Sequence, residues 1–211
     1  MRLLRRYSDG QRMNHWFIAL MFVLAGLSGL AFFHPSFYFF VNLFGGGQWT
    51  RILHPFLGVL MVVGFLLLFF QMWRDNLWNR NDRLWMSNAG ALLRGNKSGM
   101  PPVGKYNAGQ KLVFWAMAIS LLVLVVTGFL FWRPWFAPNF SIGVLRAAVL
   151  LHAIAAVVLI LSVIVHVYAA IWVKGSLRAM TRGTVTGGWA WRHHRKWLRE
   201  LAGRAARDPA Q

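Results

Sequence analysis

Four long stretches of the chain lack the polar stripe that a water-facing helix carries on one side. They cover residues 13–33, 52–73, 112–132 and 147–173. A hydrocarbon core about 30 Å thick needs about 20 helical residues to cross it, and each stretch reaches that length. The pattern predicts an all-α integral membrane protein, a bundle of four transmembrane helices within one domain, residues 1–211. The basic N-terminus runs into an apolar stretch from Trp16 to Phe33, which does not read as a cleavable signal and is long enough to stay in the membrane. Between the second and third spans, the loop 74–110 mixes Trp78, Leu84, Trp85, Met86, Ala91, Leu92 and Leu93 with polar residues. This predicts a short interfacial helix around 83–94. The tail 174–211 has the same texture over 189–201, where Trp189, Trp191, Trp197 and Leu198 stand among Arg and Lys. No internal repeat of useful length is evident.

Charge orients the spans. The N-terminal tail, residues 1–12, holds Arg2, Arg5, Arg6 and Arg12; the loop 74–110 holds six basic residues and the tail 174–211 nine. The loop 34–50 has none and the loop 133–146 has two. The positive-inside rule then places both termini and the 74–110 loop in the cytoplasm. A formal net charge of +18 in a soluble chain would point to nucleic acid, but here the charge sits in flanks of apolar runs and no nucleic-acid-binding motif accompanies it. At 57% hydrophobic and 13% charged residues, the composition points to lipid as the surrounding solvent. The absence of cysteine excludes disulfides, iron–sulfur clusters and thiolate metal sites within this chain. All five acidic residues, Asp9, Asp75, Asp82, Glu200 and Asp208, fall outside the predicted spans. A proton- or ion-coupled transporter, which commonly uses carboxylates within the membrane, is disfavoured.

Histidines do enter the spans. His15 lies near the cytoplasmic start of the first and His54 near the far-side start of the second; the fourth carries His152 near the far side and His166 nearer the cytoplasm. Each membrane face thus receives two histidines from different helices. His152 and His166 are 14 residues apart, close to four turns, so they share a face about 21 Å apart along one axis. Neutral imidazole binds iron without a buried charge, and two axial imidazoles leave no open coordination position. Two haems, one per face, follow: His54 with His152, and His15 with His166. Zinc would need about four ligands in one place, whereas these come as two distant pairs. Ala25, Gly26, Ser28, Gly29, Gly58, Gly64 and Gly128 permit close helix packing or clearance for a porphyrin. His34, before Pro35, reads as interfacial; His193 and His194 read as solvated or in contact with headgroups or a partner.

The run Gly104-Lys105-Tyr106-Asn107-Ala108-Gly109-Gln110-Lys111 leads into the third span. Two readings stand. Asn107 caps a helix start, the favoured one, or the free N–H groups there, with Asn107 and Gln110, receive a quinone whose oxygens gather negative charge.

In the stretches Arg51-Ile-Leu-His54-Pro-Phe-Leu-Gly58, Val103 through Lys111, Val126-Thr-Gly128 through Trp132-Arg-Pro134, and Trp172-Val-Lys-Gly175, the chain resembles the gamma, cytochrome b subunit of membrane-bound respiratory formate dehydrogenases. The resemblance implies two haem b groups, a periplasmic one on His54 and His152 and a cytoplasmic one on His15 and His166. It also implies a quinone site (menaquinone or ubiquinone) at Asn107, Gly109, Gln110 and His166. Implied partners are an iron–sulfur beta subunit with a membrane anchor and an alpha subunit with a molybdenum or tungsten pterin, in a bacterial inner-membrane complex that can form trimers. Formate oxidation would belong to the alpha subunit. A cytochrome b for a nickel–iron hydrogenase or another iron–sulfur oxidoreductase, and a haem-free transporter, remain the alternatives.

Overall fold

The computed structural model describes residues 3–96 and 99–207. Arg2, Lys97 and Asp208, which enter the charge pattern, lie outside them. The element order is β1 (Leu3–Arg5), α1 (Asp9–Phe33), a 3₁₀ segment (Pro35–Phe44), α2 (Gly47–Met72), α3 (Arg80–Ser87), α4 (Ala89–Leu93), α5 (Ala108–Phe131), α6 (Ile142–Trp172), α7 (Ser176–Arg182), β2 (Thr184–Thr186), α8 (Gly187–His193) and α9 (Arg195–Arg207), with short 3₁₀ turns at Arg74–Asn76 and Ala137–Asn139. Helices α1, α2, α5 and α6 are long and apolar enough to cross a membrane. Each begins four or five residues before the apolar run does, at 9, 47, 108 and 142 against 13, 52, 112 and 147. The extra first turns contain Arg12, Arg51, Lys111 and Arg146. Charge ends a hydropathy run, but it does not end a helix whose backbone hydrogen bonds continue.

Two compact units can be distinguished. One comprises Met13–Gln71 and Ala116–Val165. Its four helix segments share a core of Met21 and Ala25 from α1, Met61 from α2, Leu121 from α5 and Leu159 from α6. Its outer surface is also apolar: Leu20, Leu67, Ile119, Leu122, Leu150 and Leu161 are all exposed. An all-helical surface of this kind suits lipid, because the backbone polar groups are satisfied within each helix.

The other unit comprises Met1–Arg12, Met72–Trp115 and His166–Gln211. The two tails meet in an antiparallel pair, β1 with β2, in the register Leu3 to Thr186, Leu4 to Val185 and Arg5 to Thr184. Gly183 extends the junction, its carbonyl accepting from Arg6 N at 2.8 Å and Tyr7 N at 3.2 Å. Only glycine suits that position. Its φ is +73°, and a Cβ there would lie 2.9 Å from the Tyr7 carbonyl oxygen.

Arg6 is the hub of this unit. Its guanidinium is buried and donates to Lys105 O. It stands 4.9 Å from the Trp197 ring centre, 5.1 Å from Trp189 and 5.8 Å from Tyr106. His194 packs beside it, its Nδ1 donating to Gly104 O at 2.7 Å and its Nε2 3.5 Å from Arg6 Nη2. The expectation of a solvated His194 is therefore corrected: the residue is buried. Burial, then the neighbouring Arg6 charge, depresses its pKa to about 3, so the ring is neutral. His193 lies at a tilt against Trp189, the ring centroids 5.3 Å apart.

The expected single interfacial helix over 83–94 is two, α3 and α4, divided at Asn88. Helix α3 starts earlier than predicted because Asn79 and Asp82 form a reciprocal capping box. The tail 189–201 is likewise divided, between α8 and α9, where His194 turns inward out of helical geometry.

Candidate haem site

Two of the four span histidines come together inside the first unit. The rings of His54 on α2 and His152 on α6 have centroids 6.3 Å apart and planes at 67°. Metal–imidazole bonds of about 2.0–2.1 Å on both sides of one ion, with about 1.1 Å more from each nitrogen to its ring centre, span about 6.3 Å. The observed separation matches.

The neighbours of each ring determine which nitrogen is available. Ser28 Oγ lies 2.9 Å from His54 Nδ1 and donates its own proton to Ala25 O at 3.0 Å. With that proton committed, the hydroxyl accepts from Nδ1–H. Thr127 Oγ1 repeats the arrangement at 3.0 Å from His152 Nδ1, its proton going to Val123 O at 2.6 Å. Both imidazoles are thereby set as the Nδ1–H tautomer, with the Nε2 lone pair directed elsewhere, as a metal ligand requires. A glycine follows each hydroxyl residue. A Cβ on Gly29 would lie 3.1 Å from His54 Cε1, and one on Gly128 3.5 Å from His152 Cε1. Absence of a side chain lets each ring lie against the neighbouring helix.

The donor set, a pair of neutral imidazoles, fits haem iron. Among the described residues no group of three or more His, Cys, Asp or Glu could hold a metal ion by itself. A porphyrin supplies four ligands of its own, so a pair of imidazoles is sufficient.

His15, on α1, meets Trp16 edge to face at 5.4 Å. His166 is exposed on α6, fourteen residues beyond His152. His34 caps the 3₁₀ segment, its Nδ1 accepting from Ser36 N at 3.2 Å, which accounts for its place before Pro35.

The start of α5 is a reciprocal cap. Asn107 Oδ1 accepts from Gln110 N at 2.8 Å, and Gln110 Oε1 accepts from Asn107 N at 3.0 Å. The capping reading of Asn107 is therefore correct. It uses the amide oxygens and leaves both side-chain NH₂ groups as donors, so capping does not compete with ligand binding. Trp85 lies against Gly109, whose Cβ would be 3.3 Å from its ring. The turn is anchored from behind by Lys111, whose Nζ donates to Asp82 Oδ2 and to Leu77 O, both at 2.8 Å. Asn107, Ala108, Lys111, Trp85 and Asp82 border a cavity of about 370 Å³.

Residues 6–183 match the family model described as prokaryotic cytochrome b561. The chain belongs to that family. This cytochrome is 48% identical to the formate dehydrogenase cytochrome b556(fdo) subunit of Escherichia coli (strain K12), over 93% of this chain and 92% of that protein. It is 41% identical to the nitrate-inducible formate dehydrogenase cytochrome b556(Fdn) subunit of the same strain, over 90% and 88%. A formate dehydrogenase cytochrome b556 subunit of Haemophilus influenzae is 40% identical, over 92% and 82%. A b-type haem and a role in electron transfer go with this membership; a haem-free transporter does not.

Sequence reasoning passed over Ser28 and Thr127 as hydrogen-bond partners of His54 and His152. A signal for them exists. Ser28-Gly29 precedes His54 by 26 and 25 residues, and Thr127-Gly128 precedes His152 by 25 and 24. A hydroxyl–glycine pair one helix ahead of each histidine is a short echo that a search for long repeats does not detect.

Proposed function

We propose that this cytochrome is the di-haem subunit of a bacterial inner-membrane formate dehydrogenase, carrying electrons from an iron–sulfur partner at the periplasmic face to a quinone at the cytoplasmic face. The observation that carries the reading is the His54–His152 pair, its spacing and the hydroxyl-fixed Nε2 lone pairs. The relatives at 40–48% identity are formate dehydrogenase subunits, which favours formate dehydrogenase over hydrogenase as the parent complex. A catalytic alpha subunit and an iron–sulfur beta subunit follow from that assignment.

Haem supplies reversible one-electron transfer. His54 and His152 would hold the periplasmic group and His15 and His166 the cytoplasmic one, His152 and His166 being fourteen residues apart on α6. The quinone lies at the start of α5, where the NH₂ groups of Asn107 and Gln110 and the backbone at Gly109 favour the negative charge that reduction places on its oxygens, with His166 alongside. Its protons come from the cytoplasm. The expectation that both tails share one side draws support from the pairing of β1 with β2. The basic loop joins them there, Arg6 donating to Lys105 O and His194 to Gly104 O.

Single alanine variants at the four histidines, with haem content and reduced-minus-oxidised spectra of the purified complex, test the pairing. His54→Ala and His152→Ala lose the same spectral component; His15→Ala and His166→Ala lose the other. A component lost in common by His54→Ala and His166→Ala would overturn it.

A further inference from the structure

We propose that Ser28 and Thr127 are positioning residues that hold down the reduction potential of the haem on His54 and His152. The inference rests on the reading of those two histidines as ligands and adds what sets the electronic character of the group they hold.

Each hydroxyl is the middle member of a chain. The imidazole Nδ1–H donates to the hydroxyl oxygen, and the hydroxyl proton donates to a helix carbonyl, Ala25 O for Ser28 and Val123 O for Thr127. Hydrogen bonds in such a chain polarise one another. A hydroxyl whose proton is already donated is a stronger acceptor, and it pulls the Nδ1 proton away from the ring. The imidazole then gives more electron density to iron through Nε2. That stabilises the ferric state over the ferrous state and lowers the potential. Ser28 is fully buried and Thr127 nearly so, so water does not replace either oxygen when it is removed. Neither hydroxyl is needed to hold its own helix, since a side chain returning a proton to a carbonyl one turn back adds little to a helix and can weaken it. The two chains arise from different helices, α1 and α5, and converge on the two sides of one group. Removing one should therefore leave the other intact.

The test uses the purified complex and potentiometric titration of each haem, followed by absorption and electron paramagnetic resonance. Ser28→Ala and the shape-preserving Thr127→Val should each retain both haems. Each should raise the midpoint of the His54–His152 haem alone. One lost hydrogen bond corresponds to about three- to tenfold in its ferrous-to-ferric ratio at fixed potential, tenfold being 59 mV for one electron. Ser28→Thr and Thr127→Ser should restore it. Unchanged midpoints in both deletion variants with full haem content would overturn the proposal. So would loss of the haem from Ser28→Ala that Ser28→Thr fails to restore, which would mark the residue as packing. Failure of the ligand reading looks different: His54→Ala would then keep both haems with unaltered spectra.

Discussion

Replacing Asp82 by Asn removes one charge from a buried ion pair and little else. The carboxylate accepts from Lys111 Nζ at 2.8 Å and from the Asn79 backbone N–H at 2.8 Å. The asparagine oxygen can still serve Asn79, so the cap of α3 survives. What remains is a lysine with a side chain 4% exposed against an aspartate that was 7% exposed, still donating to the Leu77 carbonyl but with its charge no longer balanced by position 82. Breaking a buried pair from one side costs about 3–5 kcal/mol, because the surviving charge stays desolvated. At about 2–4 °C per kcal/mol for a chain of this size, the apparent midpoint of thermal unfolding should fall by about 6–20 °C. Lys111→Met should cost a similar amount by stranding Asp82. The double variant should recover most of the loss, since two neutral groups need no partner. Differential scanning fluorimetry of the purified complex in detergent, run at several scan rates to expose irreversibility, measures all four corners of the cycle. Lys111 closes the first turn of α5 through its N–H to Asn107 O at 3.0 Å, so each single variant should also slow quinone reduction. Losses below about 1 kcal/mol in both single variants, adding in the double, would refute the claim that this pair anchors the turn.

Asn107→Ala and Gln110→Ala each remove half of the α5 cap, at about 1 kcal/mol of stability, and should slow quinone reduction about tenfold or more with both haems still reducible by the donor; unaltered quinone kinetics in both would take this turn out of the site. Topology is open to cysteine labelling: in intact cells an impermeant thiol reagent should reach Gln48→Cys and spare Arg94→Cys, and the converse result would reverse the two faces. His194 gives a pH prediction. Its folded pKa of about 3 lies below the usual value of about 6.5, so the unfolded chain binds the extra proton. Its contribution to stability is complete above pH 6.5 and is lost as pH falls toward 3, by up to about 1.4 kcal/mol per pH unit. His194→Gln should flatten that acid limb in an unfolding series, and an unchanged limb would place the sensitivity elsewhere.

Hydropathy and charge made the four spans legible, because lipid imposes one requirement, apolar side chains for about 20 residues, that a sequence cannot conceal. Span starts were short by a turn because Arg12, Arg51, Lys111 and Arg146 end the apolar run while the helix goes on. The meeting of His54 with His152 was legible for a related reason: depth in a membrane helix is counted in residues. The Ser28 and Thr127 contacts were not, since they depend on which face of α1 meets α2, and which of α5 meets α6. The inward turn of His194 and the β1–β2 pairing were illegible for want of any local cue. A three-residue strand has no periodicity to detect, and its partner lies about 180 residues away.

That separation has a consequence for biosynthesis. Leu3–Arg5 precedes all four membrane helices in the chain and Thr184–Thr186 follows them, so the ribbon they form cannot close until those helices have been made. Until then Arg6 has neither Trp189 nor Trp197 beside it, and Tyr7 has no Gly183 carbonyl to bond. Closure of the β1–β2 ribbon therefore follows synthesis of all four spans. A chain cut just before Thr184 would keep all four spans and leave the β1 edge without its β2 partner.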